Sequence, residues 1–142
     1  MKAWRISLGS LRGVILCLVL GVVAVFAGEQ PKGVIKLYTS WPMQGAMIPE
    51  GTAMKRAVDL AVEHAGSMVA GYTIAVLNLD DASPVTGSWD GTVEAENAQK
   101  AIADADAMMY IATYNSGAAK VSMPITNKAG MGRSRQRTPT RA

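Results

Sequence analysis

Apolar and polar positions along this chain recur with two alternating periods. Val34 to Tyr38 (VIKLY) is a short β-branched and apolar run, bounded by Pro31 and Gly33 ahead and by Thr39-Ser40-Trp41-Pro42 behind, and it predicts a strand. Beyond a loop rich in Pro, Gly and Met, the residues Met54, Ala57, Val58, Ala61, Val62 and Ala65 fall at helical spacing, with Lys55, Arg56, Asp59 and Glu63 on the other side. That pattern predicts an amphipathic helix starting near Pro49 or Thr52 and closed by Gly66. Tyr72 to Leu79 (YTIAVLNL) predicts a second strand, which runs into the acidic pair Asp80-Asp81 and then a turn-rich stretch with Pro84, Gly87 and Gly91. From Thr92 a second helix is predicted, with Val93, Ala98, Ala101, Ile102 and Ala105 on one face and Glu94 and Glu96 in the first turn, where the helix dipole favours negative charge. Ala107 to Ala112 (AMMYIA) is continuously apolar, as expected of a strand buried on both faces. After Thr113-Tyr114-Asn115-Ser116-Gly117, Val121, Ile125 and Ala129 keep a four-residue spacing through Ala118 to Ala129, although Pro124 argues against an undisturbed helix there.

The order β-α-β-α-β-α predicts an α/β fold with a parallel sheet and right-handed crossovers. Ahead of it, Lys2, Arg5 and Arg12 precede an uncharged apolar run of 16 residues, Gly13 to Gly28, with small residues at Val25 and Ala27. A basic start, an apolar stretch too short to span a bilayer and a small-residue cleavage site describe a secretory signal peptide, residues 1–27, cut after Ala27. The expected location is the cell exterior or the periplasm, with the membrane met only through the leader. Cys17, the single cysteine, lies inside the apolar run behind the bulky Leu16, which does not suit a lipid-attachment site. Once the leader is removed no thiol remains, so neither a disulfide framework nor cysteine catalysis is expected.

Charge changes the picture only after it is divided by position. The chain carries a net +3, but residues 28–131 hold seven basic groups against all eleven acidic ones, a net of −4. The basic excess lies in the leader and in Gly132 to Ala142 (GRSRQRTPTRA), which has four arginines and no acid or large apolar residue. Such a composition cannot add to a core, so residues 132–142 are expected to be a basic disordered tail. A nucleic-acid partner is not implied by a mildly acidic body.

In open parallel sheets ligands bind beyond the carboxyl ends of the strands, which selects three loops: Thr39 to Gly45, Asp80 to Gly91, and Thr113 to Gly117. Asn115, Ser116 and Gly117 lead into a helix, where free backbone N–H groups and a hydroxyl can hold a carboxylate, unless Ser116 serves only as a cap. Trp41 offers an apolar wall to a ligand or a cover for the sheet edge. Asp80 and Asp81, without further ligands nearby, are expected to be solvated or capping, and His64 at a helix end is expected to be structural. No nucleophile and base pair, phosphate loop or metal-ligand spacing can be assembled, so neither an enzyme nor a cofactor or metal site is expected.

Together, GVIKLYTSWPMQG (Gly33 to Gly45), AMKRAVDLAVEHAG (Ala53 to Gly66), LNLDDAS (Leu77 to Ser83) and MYIATYNSGAAKVSMPITNKAGM (Met109 to Met131) resemble the start of the branched-chain amino acid (leucine-binding) type of ABC-transporter solute-binding protein, the type I periplasmic binding family. The resemblance implies a three-layer αβα lobe, here the partial N-terminal lobe over residues 28–131. It implies a small solute, an amino acid or amide, held between two lobes that close on it, and docking on an ABC permease. It places Ser116 where a hydroxyl holds the ligand carboxylate, with Tyr114, Asn115 and Gly117 shaping that loop and Trp41 facing the cleft from the loop after the first strand. Beyond Met131 the chain departs from the family, and the abrupt change of composition leads to the expectation of a truncated or out-of-frame end. On that expectation the product binds its solute without useful affinity, folds marginally, or has no function at all. A ligand-sensing ectodomain of the same fold is the other alternative.

Overall fold

The apolar runs become strands and the amphipathic runs become helices in the computed structural model, which describes residues 30–134. The chain divides into two units, Met1–Gln30 and Pro31–Ala142, and every described element belongs to the second. The expected leader, with Cys17, lies outside the described residues, as do positions 135–142 of the expected tail.

The elements are β1 (Val34–Trp41), a 3₁₀ turn (Gly45–Met47), α1 (Ile48–His64), β2 (Met68–Val69), β3 (Tyr72–Asp80), α2 (Gly91–Ala103), β4 (Ala107–Ala112), α3 (Ser116–Lys128) and β5 (Gly132–Ser134). They build one sheet in the order β2-β3-β1-β4-β5. β1 is parallel to both β3 and β4, and β5 is parallel to β4. The expected α/β class and parallel sheet are therefore present, and α3 runs unbroken through Pro124.

Three features differ from the pattern-based expectation. β1 continues past Tyr38 to Trp41, because Thr39, Ser40 and Trp41 stay in register with Asn78, Leu79 and Asp80. β2, absent from the sequence reading, is the first arm of a hairpin: Val69 pairs antiparallel with Tyr72 across Ala70 and Gly71, both at positive φ (50° and 86°). Ala-Gly is not one of the usual two-residue turn dipeptides, so the turn is invisible to a search for Asn-Gly or Asp-Gly. Finally, Gly132–Ser134, assigned on composition to the tail, pairs with Met109, Tyr110 and Ile111. An edge strand needs only backbone partners, which composition does not report.

The strand period of two divides β1 between the layers. Tyr38 joins Tyr110, Ala112, Ala98 and Ala101 in the core beneath α2 and α3. On the other face Leu37 and Trp41, with Ile74 and Ile111, line a cavity of about 370 Å³ whose far wall is α1. The expected apolar stripe of α1 does face the sheet, yet Ala57, Ala61 and Ala65 remain exposed, and the buried residue of the helix is Gly51. The two layers thus differ: on one side Ala98, Ala101 and Ala118 of α2 and α3 are fully buried, and on the other a cavity stands between α1 and the sheet.

Candidate functional site

Because α1 leaves β1 toward one face while α3 leaves β4 toward the other, the carboxyl ends of β1 and β4 flank a topological switch point. A crevice opens there in doubly wound sheets. The loops at this end are braced against one another. Asp80, at the end of β3, accepts the Met43 N–H (2.9 Å), the Gln44 Nε2–H (2.7 Å) and the Ala82 N–H (2.9 Å). Gly45 lies so close to Gly87 that a Cβ there would meet the Gly87 carbonyl oxygen at 2.4 Å, and both residues have positive φ. The second loop folds back on itself through the bridge between Ala82 and Trp89 and the Ser83 N–H to Ser88 carbonyl bond (2.8 Å). That return sets the Trp89 ring against the third loop, where a Cβ on Gly117 would fall 2.6 Å from two of its ring atoms.

The two helices that begin at this end are finished differently. α2 is capped: the Asp90 carboxylate accepts the Thr92 N–H (2.7 Å) and the Val93 N–H (3.2 Å). α3 starts at Ser116 with Asn115 in the cap position, and no side chain caps it. Its backbone ladder opens with the Ala119 N–H on the Asn115 carbonyl (3.0 Å), so the N–H groups of Ser116, Gly117 and Ala118 have no acceptor inside the helix. Ser116 is exposed, Tyr114 is exposed, and Trp89 beside them is half-buried. The result is an uncapped positive helix end with a hydroxyl on it and an indole at its flank, an arrangement that suits an anionic group attached to an apolar body.

Of the residues singled out from sequence, Tyr114, Asn115, Ser116 and Gly117 stand together at this helix start. Trp41 does not join them. It is the last residue of β1, only 2% exposed, and its side chain belongs to the α1 side of the sheet. The three extra strand residues, Thr39 to Trp41, decide this, since they fix its side chain to the face opposite Ser40. The aromatic that does reach the loops is Trp89. It could have been noticed as the residue directly before the Asp90 cap, which returns the second loop to the sheet end.

Beneath the loops lies a buried polar cluster that the sequence reading also misplaced. Asp81 is not solvated: it is fully buried, and neither of its carboxylate oxygens has a hydrogen-bond partner among the described residues. Glu94 stands in the first turn of α2 as expected, but it is fully buried there and accepts the Ser40 hydroxyl at 2.7 Å. Asn97 Nδ2 donates to Ser40 Oγ (3.0 Å) and to the Asp80 carbonyl (2.8 Å), which ties α2 to β1 and β3. Burial, and then the charges of Glu94 and Asp80, push the Asp81 carboxyl up to about 7. Burial and the neighbouring Glu94 push the Tyr110 hydroxyl upward, so it keeps its proton. No cluster of three or more metal-ligating side chains occurs among the described residues.

No family model matches the chain, and no curated protein matches it. Solved structures do. The branched-chain amino acid transporter substrate-binding protein LivJ of Streptococcus pneumoniae, in complex with isoleucine, matches 70% of this chain and 28% of its own length at 22% identity, with a TM-score of 0.60. The leucine-binding protein LivK of Thermotoga maritima matches 70% of this chain and 26% of its own at 21% identity (TM-score 0.61). An ABC-transporter solute-binding protein of Rhodopseudomonas palustris in complex with benzoate matches 71% and 26% at 27% identity (TM-score 0.61). The chain thus spans little more than a quarter of each of these proteins. In fold, this α/β chain carries part of the type I periplasmic binding architecture found in branched-chain amino acid ABC-transporter substrate-binding proteins.

Proposed function

We propose that this chain supplies one wall of a solute-binding cleft, as part of the exported capture subunit of an ABC transporter. The observation that carries the reading is the uncapped start of α3, with the exposed Ser116 hydroxyl and free N–H groups set beside Trp89 at the switch point of the sheet. The chemistry matches a small carboxylate: the helix end and hydroxyl take the anionic group, and the indole covers an apolar side. Ser116, Gly117 and Asn115 are the anchoring residues in this reading, Tyr114 and Trp89 shape the mouth, and Trp41 supports the strand from behind. Binding rather than catalysis is favoured because the matched structures are transport binding proteins. Export rests on the leader pattern of residues 1–27.

Both aliphatic amino acids and aromatic acids occupy proteins of this fold, with isoleucine and benzoate bound to two of the matched structures. A flanking indole serves either. One wall leaves the solute open to water, so roughly millimolar affinity is expected from this chain by itself, far weaker than a closed clamp reaches. Amide NMR titration with leucine, isoleucine and benzoate tests this. Saturable shifts centred on Asn115–Gly117 and the Trp89 indole, lost in Ser116→Ala with Gly117→Val, are expected. Shifts confined to another part of the chain, or none at all at saturating solute, would overturn the assignment.

A further inference from the structure

The cavity between α1 and the sheet combines apolar walls with one stranded donor. Its α1 wall runs three turns, from Met54 to Ala65, or about 16 Å at 1.5 Å per residue. A volume of about 370 Å³ spread over that length suits a single chain-like molecule. Alanine stands at three of the α1 positions that face it, Ala57, Ala61 and Ala65, and Leu37, Ile74 and Ile111 on the sheet side remain only half-buried. None of the lining residues is charged. Apolar walls with very few placed polar groups, at a volume of about 300–1,000 Å³, are the usual form of a small-molecule site.

The stranded donor belongs to Trp41. This residue lines the cavity at the carboxyl end of β1, is 2% exposed, and has its indole N–H buried with no hydrogen-bond partner among the described residues. An indole N–H can only donate, and leaving it unpaired in an apolar setting is costly. The same end of the cavity carries a second unpaired atom. Gly51 is seated so closely on Pro42 that a Cβ would fall 2.1 Å from the Pro42 carbonyl oxygen, which fixes the first turn of α1 beside the end of β1. Glu50 belongs to that turn, four residues ahead of Met54 on the same stripe of the helix, and its Oε2 is also buried without a partner.

We propose that this cavity is a second binding site, for a neutral, chain-like apolar molecule ending in a hydroxyl: the chain lies along Ala57, Ala61 and Ala65, and the hydroxyl accepts the Trp41 indole N–H. A hydroxyl brings the lone pair that the indole needs together with a proton suited to a carboxyl acceptor such as Glu50. A carboxylate would have to shed its water with no cation among the lining residues to meet it, and a bare hydrocarbon would leave the N–H unpaired. The site stands apart from the start of α3 and does not rest on the cleft reading.

NMR titration of the full, isotopically labelled chain with 1-octanol and with octanoate tests the proposal. Octanol is expected to shift the Trp41 indole N–H and the methyl groups of Leu37, Ile74 and Ile111 saturably, with octanoate at least about tenfold weaker at these groups. Trp41→Phe keeps a ring but removes the donor, and is expected to weaken octanol about fivefold. Ala61→Leu, at an exposed position, fills the cavity and is expected to abolish the methyl shifts. An octanol response that is absent, that leaves the Trp41 indole N–H unmoved, or that survives Ala61→Leu overturns the proposal, as does equal binding of octanoate. Should Trp41→Phe not fold, the indole resonance of the unmodified chain and the Ala61→Leu variant decide between the same outcomes.

Discussion

Single residues at the strand ends carry consequences that oppose their usual preferences. Gly51 sits inside α1, where alanine ordinarily gains about 1 kcal/mol of helix propensity. Here a Cβ would stand 2.1 Å from the Pro42 carbonyl oxygen and 2.9 Å from the Met43 sulfur, a backbone clash that a flexible side chain cannot relieve. Overpacking of that kind costs about 1–3 kcal/mol, so Gly51→Ala is expected to lower the urea midpoint rather than raise it. Asp81 and Asp104 set opposite pH dependences. The Asp81 pKa is raised in the folded chain from 3.8 to about 7, so its contribution favours the fold below the lower value and is lost as pH rises through the higher one. A shift of that size corresponds to a few kcal/mol at about 1.4 kcal/mol per unit. Asp104, by contrast, accepts hydrogen bonds from Tyr38 (2.7 Å) and Lys36 (3.0 Å), which lower its pKa, so its contribution is present above the ordinary carboxylate range and fades as pH falls below it. Urea denaturation across the pH range is therefore expected to give greatest stability near the ordinary carboxylate range, at about pH 4, with a decline from there up to about pH 7. Asp81→Asn should flatten the decline toward alkaline pH, and Asp104→Asn the decline toward acid.

At the scale of elements, the hairpin between β2 and β3 is built on an unfavourable residue. Ala70 holds φ at 50°, which costs an L-residue with a Cβ about 1–2 kcal/mol relative to the right-handed region. With Gly71 also at positive φ, the turn has the backbone signs that Asn-Gly prefers. Ala70→Asn is accordingly expected to stabilise the chain by about 0.5–1 kcal/mol, seen as a higher urea midpoint at unchanged slope. The contrast between α2 and α3 belongs to the same scale. Asp90 closes one helix start with two hydrogen bonds, whereas the start of α3 is left open beside Trp89. Asp90→Ala should cost about 1 kcal/mol for the lost cap and also loosen the end of the 82–90 loop. A cap designed onto α3 would instead compete with any anion bound there.

For the molecule as a whole, the two sides of the sheet make different predictions. Under α2 and α3 the alanines Ala98, Ala101 and Ala118 are fully buried. Over the other face α1 stands across an apolar cavity of about 370 Å³ with Ala57, Ala61 and Ala65 exposed. Ala61→Glu is expected to change stability by less than about 0.5 kcal/mol, the range of surface substitutions, while reducing the fluorescence of a bound apolar dye such as anilinonaphthalene sulfonate. A loss of several kcal/mol would mean that α1 is packed home. Periodicity alone would place Ala61 in the core, and this residue separates what the sequence determined from what it did not. The order of strands and helices, the parallel sheet and the helix start at Asn115–Gly117 were legible because each depends on local pattern and turn chemistry. The placement of Trp41 and Trp89 was not, nor were the burial of Asp81 and Glu94 and the pairing of Gly132–Ser134. Those depend on which register a strand keeps and which loop returns to meet another, and contacts between residues far apart in the chain decide both.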